Sequence, residues 1–150
     1  MKKLFVLLVG MLLCGCEQEM VDYAGFSRFV WCNEGSRPVV LSVEDARGDF
    51  LLRETTLAPG RSIETEEIEG GMAHCPAPSE CIWAVAVAYE DGTSARYVRL
   101  QASGPVPCDP SLECNYTPDF QDRAPMRCRW VYTFTDDDYR AAAERGEDAE

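Results

Sequence analysis

Cysteine is the residue type that offers the most chemistry in this sequence, because eight of its 150 residues are cysteine. Two pairs share the spacing C-x5-C, Cys75 with Cys81 and Cys108 with Cys114, and both intervening segments contain Pro and Ser. Short segments that contain Pro bring their two ends together readily, so each pair is expected to close a local disulfide. Zinc-binding pairs usually have about two to four intervening residues, so the spacing favours disulfides over a metal site.

The amino-terminal residues contain two further cysteines in a segment that is typical of export. Lys2 and Lys3 precede an apolar run, Leu4–Leu13, which has the length of a signal-peptide core and is too short to span a bilayer as a helix. Residues 13–16 read LCGC and resemble the bacterial lipobox, in which a small residue precedes the cysteine that receives lipid. The resemblance implies that the peptide is cut before Cys16 and that Cys16 carries the lipid anchor.

The lipobox resemblance divides the chain into a lipoprotein signal peptide, a lipidated tether, a folded domain and a frayed tail, at 1–15, 16–24, 25–146 and 147–150. The whole chain has a formal charge of −12, and removal of Lys2 and Lys3 with the signal leaves −14. We expect no nucleic-acid partner, because nucleic-acid binding requires clustered Lys and Arg. The expected partner is a membrane, reached through the lipid on Cys16. The expected location is the bacterial cell envelope, with the protein anchored to the outer membrane on its periplasmic or surface-exposed face.

Six cysteines are left for disulfides once Cys14 leaves with the signal and Cys16 carries lipid. An even number of cysteines in an exported protein indicates a disulfide framework. With the two C-x5-C pairs assigned, Cys32 and Cys128 remain for a bridge between the two ends of the domain. The count alone allows many connectivities, so the pairing stays open. The candidate disulfide cysteines are Cys32, Cys75, Cys81, Cys108, Cys114 and Cys128.

Apolar residues in the rest of the chain follow the two-residue period of β-strands, interrupted by turns of Gly, Pro, Asn and Asp. Asp91-Gly92, between two such segments, is the strongest hairpin signal. The pattern predicts an all-β fold, a single antiparallel β-sandwich, Ig-like or similar, of about seven strands stapled by disulfides. The predicted strands are 25–32, 37–44, 50–57, 61–68, 81–89, 94–101 and 126–135.

The residues after the last predicted strand indicate one short C-terminal helix. Thr135 is the expected N-cap, and the three aspartates 136–138 fill the first turn, where the helix dipole favours negative charge. Thr135 and Asp138 have the spacing of a capping box. Gly146 is expected to end the helix.

Two further segments carry a resemblance to a known group of proteins. They are the Leu-Ala-Pro-Gly turn at 57–60 and the closing segment 132–142, which reads YTFTDDDYRAA. Together with the lipobox, they resemble the small β-sandwich lipoproteins of Bacteroidales. The resemblance implies a cell-envelope location and implies no activity.

Residues for acid–base or metal chemistry are present without a pattern that assembles them. His74 is the sole histidine and lies beside Cys75, and the sequence contains no G-x-S-x-G motif that it could serve. Carboxylates cluster at 64–69 and 136–138, but glycoside hydrolysis needs two carboxylates at a set separation, which the sequence does not provide. Neither cluster matches the EF-hand calcium pattern. We therefore expect no catalytic residue, no metal and no cofactor.

Two segments are candidates for binding. Arg47, Gly48 and Asp49 form an RGD tripeptide at a predicted hairpin tip, although the same residues are typical of an ordinary turn. The Pro-rich stretch 102–125 is the expected binding surface, because a stapled loop on a β scaffold is ordered before it meets its ligand. These features favour a non-enzymatic cell-envelope lipoprotein, a binding or accessory module that presents loops to a protein or glycan. The alternatives are a small carboxylate-dependent hydrolase and a protease inhibitor.

Overall fold

The structure is a computed structural model that describes residues 24–99, 108–121 and 126–147. The predicted signal peptide, Cys16 and the tether up to residue 23 lie outside the described residues. So do 100–107 and 122–125, which belong largely to the Pro-rich stretch, and 148–150 of the predicted tail.

The described residues form nine strands, two α-helices and one 3-10 helix, Glu113–Asn115. The strands are β1 Ala24–Asn33, β2 Val39–Glu44, β3 Phe50–Leu57, β4 Ser62–Glu64, β5 Ile68–Met72, β6 Ala84–Tyr89, β7 Ser94–Val98, β8 Thr117–Gln121 and β9 Met126–Phe134. The helices are α1 Pro78–Cys81 and α2 Asp136–Glu147. Neither helix is long and apolar enough to cross a membrane.

The strands form two sheets that confirm the predicted all-β sandwich with a short C-terminal helix. The first sheet has the order β4-β1-β9-β8, with β5 also paired to β1, and the second has the order β3-β2-β6-β7. Neighbouring strands are antiparallel except for β1 and β9, which run parallel from the Gly25–Met126 pair to the Asn33–Phe134 pair. Parallel neighbours need a long connection. Here the whole second sheet is built between β1 and β9.

Two strands go beyond the predicted set, for separate local reasons. The predicted strand 61–68 is a strand only at 62–64, as β4, and β5 begins at its last residue and runs on to Met72. β4 ends before Thr65, whose buried hydroxyl accepts a hydrogen bond from the backbone N–H of Phe29 at 3.2 Å. The Thr65 hydroxyl thus takes the N–H of Phe29, which in a regular strand pair would donate to a backbone carbonyl. β8 comes from the Pro-rich stretch, and its Pro118 is tolerated because β8 is an edge strand.

Side chains that alternate along the strands meet between the two sheets and form the core. Alternate residues of β2 and of β9 are buried, as predicted, and Arg127 and Arg129 of β9 face outward. Trp31 and Trp130 are buried, whereas Trp83 is half-buried. The largest fully buried apolar side chains are Trp31, Phe29, Leu41, Ile82, Val39, Val43 and Val85.

The β2–β3 and β6–β7 hairpins have their turns at the predicted positions. In the β6–β7 hairpin the backbone N–H of Tyr89 donates to the carbonyl of Thr93 at 2.8 Å, and Gly92 has a φ of +89°. Glycine adopts this left-handed conformation at little cost.

The predicted strand 81–89 starts later, at Ala84, because residues 78–81 form α1, with Pro78 at a position that favours a helix start.

Candidate functional site

One disulfide joins described cysteines, and it differs from the predicted pairing. Cys75 is bonded to Cys128 with an Sγ–Sγ distance of 2.06 Å and a Cα–Cα distance of 6.0 Å. The bond ties the segment after β5 to β9. The predicted pairs Cys75–Cys81 and Cys32–Cys128 are therefore wrong, because each would use a sulfur already bonded. The remaining described cysteines are free thiols: Cys32, Cys81, Cys108 and Cys114.

Helix α1 explains why Cys81 does not return to Cys75. The backbone N–H of Ile82 donates to the carbonyl of Pro78 at 2.8 Å, so the segment coils instead of closing as an open loop. The coil carries Cys81 against the core, where it is partly buried. Burial, with the nearby carboxylates of Glu80 and Asp45, raises the pKa of the Cys81 thiol to about 11. Cys81 is therefore a protonated, weakly reactive thiol at neutral pH.

The predicted Cys108–Cys114 bond is also wrong, because both cysteines are free thiols, and hydrogen bonds order this second C-x5-C segment instead. The buried carboxylate of Asp109 accepts hydrogen bonds from the backbone N–H of Ser111 at 2.9 Å and from its hydroxyl at 2.6 Å. The Asn115 amide donates to the carbonyl of Asp109 at 2.9 Å, and the Tyr116 hydroxyl donates to the carbonyl of Pro110 at 2.8 Å. We call residues 109–116 the polar loop.

Glycine allows the segment that carries Cys75 to lie directly on the first sheet. A Cβ atom at Gly25 would lie 2.1 Å from the carbonyl oxygen of His74, and one at Gly70 would lie 2.3 Å from the same atom. The buried hydroxyl of Ser27, two residues along β1 on the same face as Gly25, donates to the carbonyl of Pro76 at 2.7 Å and fixes the segment there. This close approach brings Cys75 within bonding distance of Cys128.

The disulfide lies beside an exposed apolar surface at one end of the sandwich. The side chains of Met72 and Phe120 are 69% and 55% exposed. Phe120 meets Trp130 edge-on, with ring centroids 5.4 Å apart. Phe120, Met126, Trp130 and the disulfide line a cavity of about 280 Å³. Met72 lies at the same end of the first sheet but on β5, which is separated from β8, the strand of Phe120, by β1 and β9. We call Met72, Phe120, Met126 and the disulfide, which share this end of the sheet, the apolar end patch.

The sequence alone did not reveal this patch. Phe120 lies in the Pro-rich stretch 102–125, where no strand was predicted, and its orientation depends on the pairing of β8 with β9. In residues 117–121 the apolar Pro118 and Phe120 alternate with polar residues, and this two-residue period was the sequence signal for a strand.

His74 lines the cavity beside the patch, and its partner is the exposed carboxylate of Glu80. Its Nε2 atom is 2.7 Å from Glu80 Oε2, and both side chains are about half exposed. The pair is an exposed contact between the start of the Cys75 segment and α1. The structure thus places His74 at the surface loop that the sequence predicted.

The acidic cluster at 64–69 is partly neutralised by arginines on the outer face of the first sheet. Arg28 approaches Glu64 at 3.1 Å and Glu67 at 3.4 Å, and Arg127 approaches Glu67 at 3.1 Å. Arg129 lies 3.6 Å from Asp119. These contacts line a polar depression of about 370 Å³ in which the named charges pair with one another.

The RGD tripeptide lies at the exposed tip of the β2–β3 hairpin. The Asp45 carboxylate accepts hydrogen bonds from the backbone N–H groups of Arg47 at 2.8 Å and of Asp49 at 2.9 Å. Gly48 has a φ of +84°. The turn therefore uses Gly48 for its geometry, and recognition of the tripeptide by a receptor stays a prediction.

A wider groove crosses the outer face of the second sheet. It encloses about 780 Å³ and is lined by small side chains such as Ser42, Ala86 and Ala88, with Arg96 and Arg145 among its charged residues. Arg96 is paired with Glu44 at 2.8 Å. Small apolar side chains of the groove alternate with its polar and charged ones, Ser42, Glu54, Ser94, Arg96 and Arg145.

Two described carboxyl groups have a clearly shifted pKa, and both shifts are downward. A hydrogen bond from Tyr139 lowers the pKa of Asp91, and the backbone N–H of Ser36 lowers that of Asp136. A general acid needs the opposite shift, so these two groups are unsuited to donate protons at neutral pH.

Within the described ranges, no three His, Cys, Asp or Glu side chains are grouped as a metal site. No protein-family model matches the sequence, and a search of curated proteins finds no relative.

Proposed function

We propose that the protein is a non-enzymatic lipoprotein of the bacterial cell envelope, anchored to the outer membrane through lipid on Cys16. Its β-sandwich serves as a binding or accessory module that presents ordered loops to a protein or glycan. The apolar run before residues 13–16 supports the anchor. The polar loop supports the binding role.

The ordering of the polar loop is the observation that carries the binding proposal. Its hydrogen bonds converge on Asp109 and Pro110, which are both buried, so the loop is fixed before a ligand arrives. A preorganised loop loses little conformational entropy on binding, and this favours recognition. The sequence assigned that ordering to a disulfide, whereas buried hydrogen bonds supply it.

Strand β8 extends the presented surface beyond the loop. Thr117, Pro118 and Asp119 are exposed, and β8 is the edge of its sheet. An edge strand offers backbone groups and alternate side chains to a partner. The exposed side chains of Cys114, Thr117, Pro118 and Asp119 thus lie close together in the chain, held by the buried residues of the polar loop.

The two alternative functions have less support. A protease inhibitor was an alternative because disulfides would hold its C-x5-C loops closed, and neither such loop is closed. A carboxylate-dependent hydrolase needs a carboxyl of raised pKa as its acid. Asp91 and Asp136 are shifted in the other direction.

The anchor is tested by Cys16→Ser, with Cys14→Ser as the matched control two residues away. We expect Cys16→Ser to lose incorporation of labelled fatty acid and to leave the membrane fraction, whereas Cys14→Ser keeps both properties. Retention of Cys16→Ser in membranes would refute the anchor.

The binding role is tested with a photo-crosslinking amino acid placed at Leu112 in the polar loop and, as a control, at Ala58 in the turn after β3. Cells that carry each variant are irradiated, and the purified protein is applied to an array of envelope glycans. We expect a discrete adduct from position 112 and none from position 58, or a glycan signal that loop substitutions abolish. No adduct at 112 together with an empty array would reject the binding module.

A further inference from the structure

We propose that the apolar end patch rests on the membrane, with Phe120 and Met72 in the boundary between lipid headgroups and acyl chains. This inference deepens the proposed function and depends on the lipid anchor at Cys16. It assigns a second, non-covalent membrane contact to the folded domain. It also gives the sandwich a fixed orientation, with the patch toward the bilayer.

The position at which the tether joins the fold is the first argument. β1 begins at Ala24, which pairs with Met72 of β5, and the next residue, Gly25, pairs with Met126 of β9. The tether from Cys16 therefore enters the fold between two residues of the patch. Ala24 is eight residue steps from Cys16, and a fully extended chain of eight steps spans at most about 28 Å. The opposite end of β1, at Asn33, is about 30 Å farther along the strand.

The chemistry of the exposed side chains is the second argument. Met72, Phe120 and Phe50 are the exposed large hydrophobic residues in the part of the chain that the structure describes. The ring of Phe50 is covered by the guanidinium of Arg53 at 4.2 Å, so it is partly shielded from solvent. Phe120 rests edge-on against the buried Trp130, which holds it in place. Transfer of exposed apolar side chains such as these from water into the interfacial region of a bilayer lowers the free energy.

The charges around the patch set the kind of lipid surface that it fits. Arg127 is paired with Glu67 at 3.1 Å, so these two rim charges cancel. Glu69 lies on β5 beside Phe26 and is exposed. Removal of Lys2 and Lys3 with the signal peptide changes the charge from −12 to −14, so anionic headgroups would repel the anchored protein. The contact is therefore with zwitterionic lipid and is driven by the apolar side chains.

The test uses the full-length, lipidated protein in phosphatidylcholine vesicles whose acyl chains carry bromine, a quencher of Trp fluorescence. Phe120→Trp adds an indole to the patch, and Ala58→Trp adds one to the exposed turn at the other end of the fold, where Gly60 bonds Asn33. The emission of the native tryptophans is measured on the wild type and subtracted. We expect brominated lipid to remove most of the added emission of Phe120→Trp and to leave that of Ala58→Trp. Met72→Trp provides a second reporter, with the same loss expected.

The outcomes separate this inference from the anchor. If both Phe120→Trp and Met72→Trp stay unquenched while the lipidated protein remains on the vesicles, the patch does not touch lipid and the anchor stands. If Cys16→Ser still incorporates labelled fatty acid, the anchor itself is refuted. If light scattering shows a dimer in which the added Trp of Phe120→Trp is shielded without lipid, a second copy occupies the patch and the inference is overturned.

Discussion

The buried carboxylate of Asp138 accepts a hydrogen bond from the hydroxyl of Tyr132 and so joins α2 to the core-facing side of β9. Its other oxygen accepts from the backbone N–H of Thr135 at 2.7 Å and from the Thr135 hydroxyl at 2.9 Å. The backbone N–H of Asp138 donates back to the carbonyl of Thr135 at 3.2 Å. Burial, and then the negative charge of Asp138, raises the pKa of Tyr132, so the phenol remains a donor across the physiological range.

We predict that Asp138→Asn lowers the free energy of unfolding by about 1–3 kcal/mol, because an amide nitrogen would face the donors of Thr135 in a buried site. Asp137→Asn is the matched control, since Asp137 is exposed and its ion pair with Arg140 lies on the surface. The control is expected to change stability by less than about 0.5 kcal/mol. Urea denaturation followed by circular dichroism measures both. Equal effects of the two substitutions would contradict the buried role of Asp138.

The capping of α2 and the buried faces of β2 and β9 were predictable because both depend on residues close in sequence. A capping box requires a fixed spacing of three residues. The alternation of buried side chains follows from the two-residue period of any strand. Neither rule identifies a strand's neighbours. The parallel pairing of β1 with β9 was therefore not predictable, since it depends on how the intervening sheet folds.

The disulfide shows why spacing was insufficient to predict the site. The C-x5-C spacing describes how easily two cysteines can meet when the segment between them is free. In the folded chain, α1 coils that segment, and the contact of His74 with Gly25 places Cys75 over β9. The glycines at positions 25 and 70 were visible in the sequence, but the chain that passes over them was not. Phe120 was missed for the same reason, because its surroundings come from β9.

We predict that peptide mapping of the non-reduced protein finds a Cys75–Cys128 crosslink and no crosslink within 75–81. Cys128→Ser is expected to lower the free energy of unfolding by about 4 kcal/mol, because the bond closes a loop with a sequence separation of 53 and so restricts the unfolded chain. Denaturant unfolding with and without reductant measures the loss.

Cys114→Ser is the control for the disulfide, because Cys114 is an exposed free thiol. Its stability should match the wild type within about 0.5 kcal/mol. A loss as large as that of Cys128→Ser would indicate that Cys114 takes part in a bridge.

We predict that Gly25→Ala destabilises the protein by about 1–3 kcal/mol or more and lowers the yield of the disulfide. The new Cβ would lie 2.1 Å from the carbonyl oxygen of His74, so the backbone that carries Cys75 must move away from Cys128. Thiol counting after oxidative refolding measures the yield. Gly48→Ala is the comparison, because a Cβ there meets no atom within 4 Å and the cost comes only from its φ of +84°. It should destabilise by about 1–2 kcal/mol with an unchanged disulfide yield.

We predict that Tyr139→Phe raises the pKa of Asp91 toward its ordinary value. The Tyr139 hydroxyl donates to Asp91 Oδ2 at 2.7 Å, and this bond is the main cause of the lowered pKa. Because the folded-state pKa lies below the unfolded value, the bond's contribution to stability is complete above the unfolded pKa, about 3.9, and is lost as pH falls through the folded pKa. The stability advantage of the wild type over Tyr139→Phe should therefore shrink on acidification from pH 6 toward about pH 3.

Carboxyl chemical shifts followed by NMR through an acid titration measure this prediction directly. Asp136 is the internal control, since its pKa is lowered first by the backbone N–H and then by the hydroxyl of Ser36, which do not involve Tyr139. Its titration should be unchanged in Tyr139→Phe. A parallel rise in the pKa values of Asp91 and Asp136 would point to a general loss of structure around α2. An unchanged pKa of Asp91 would show that the hydrogen bond from Tyr139 does not lower it.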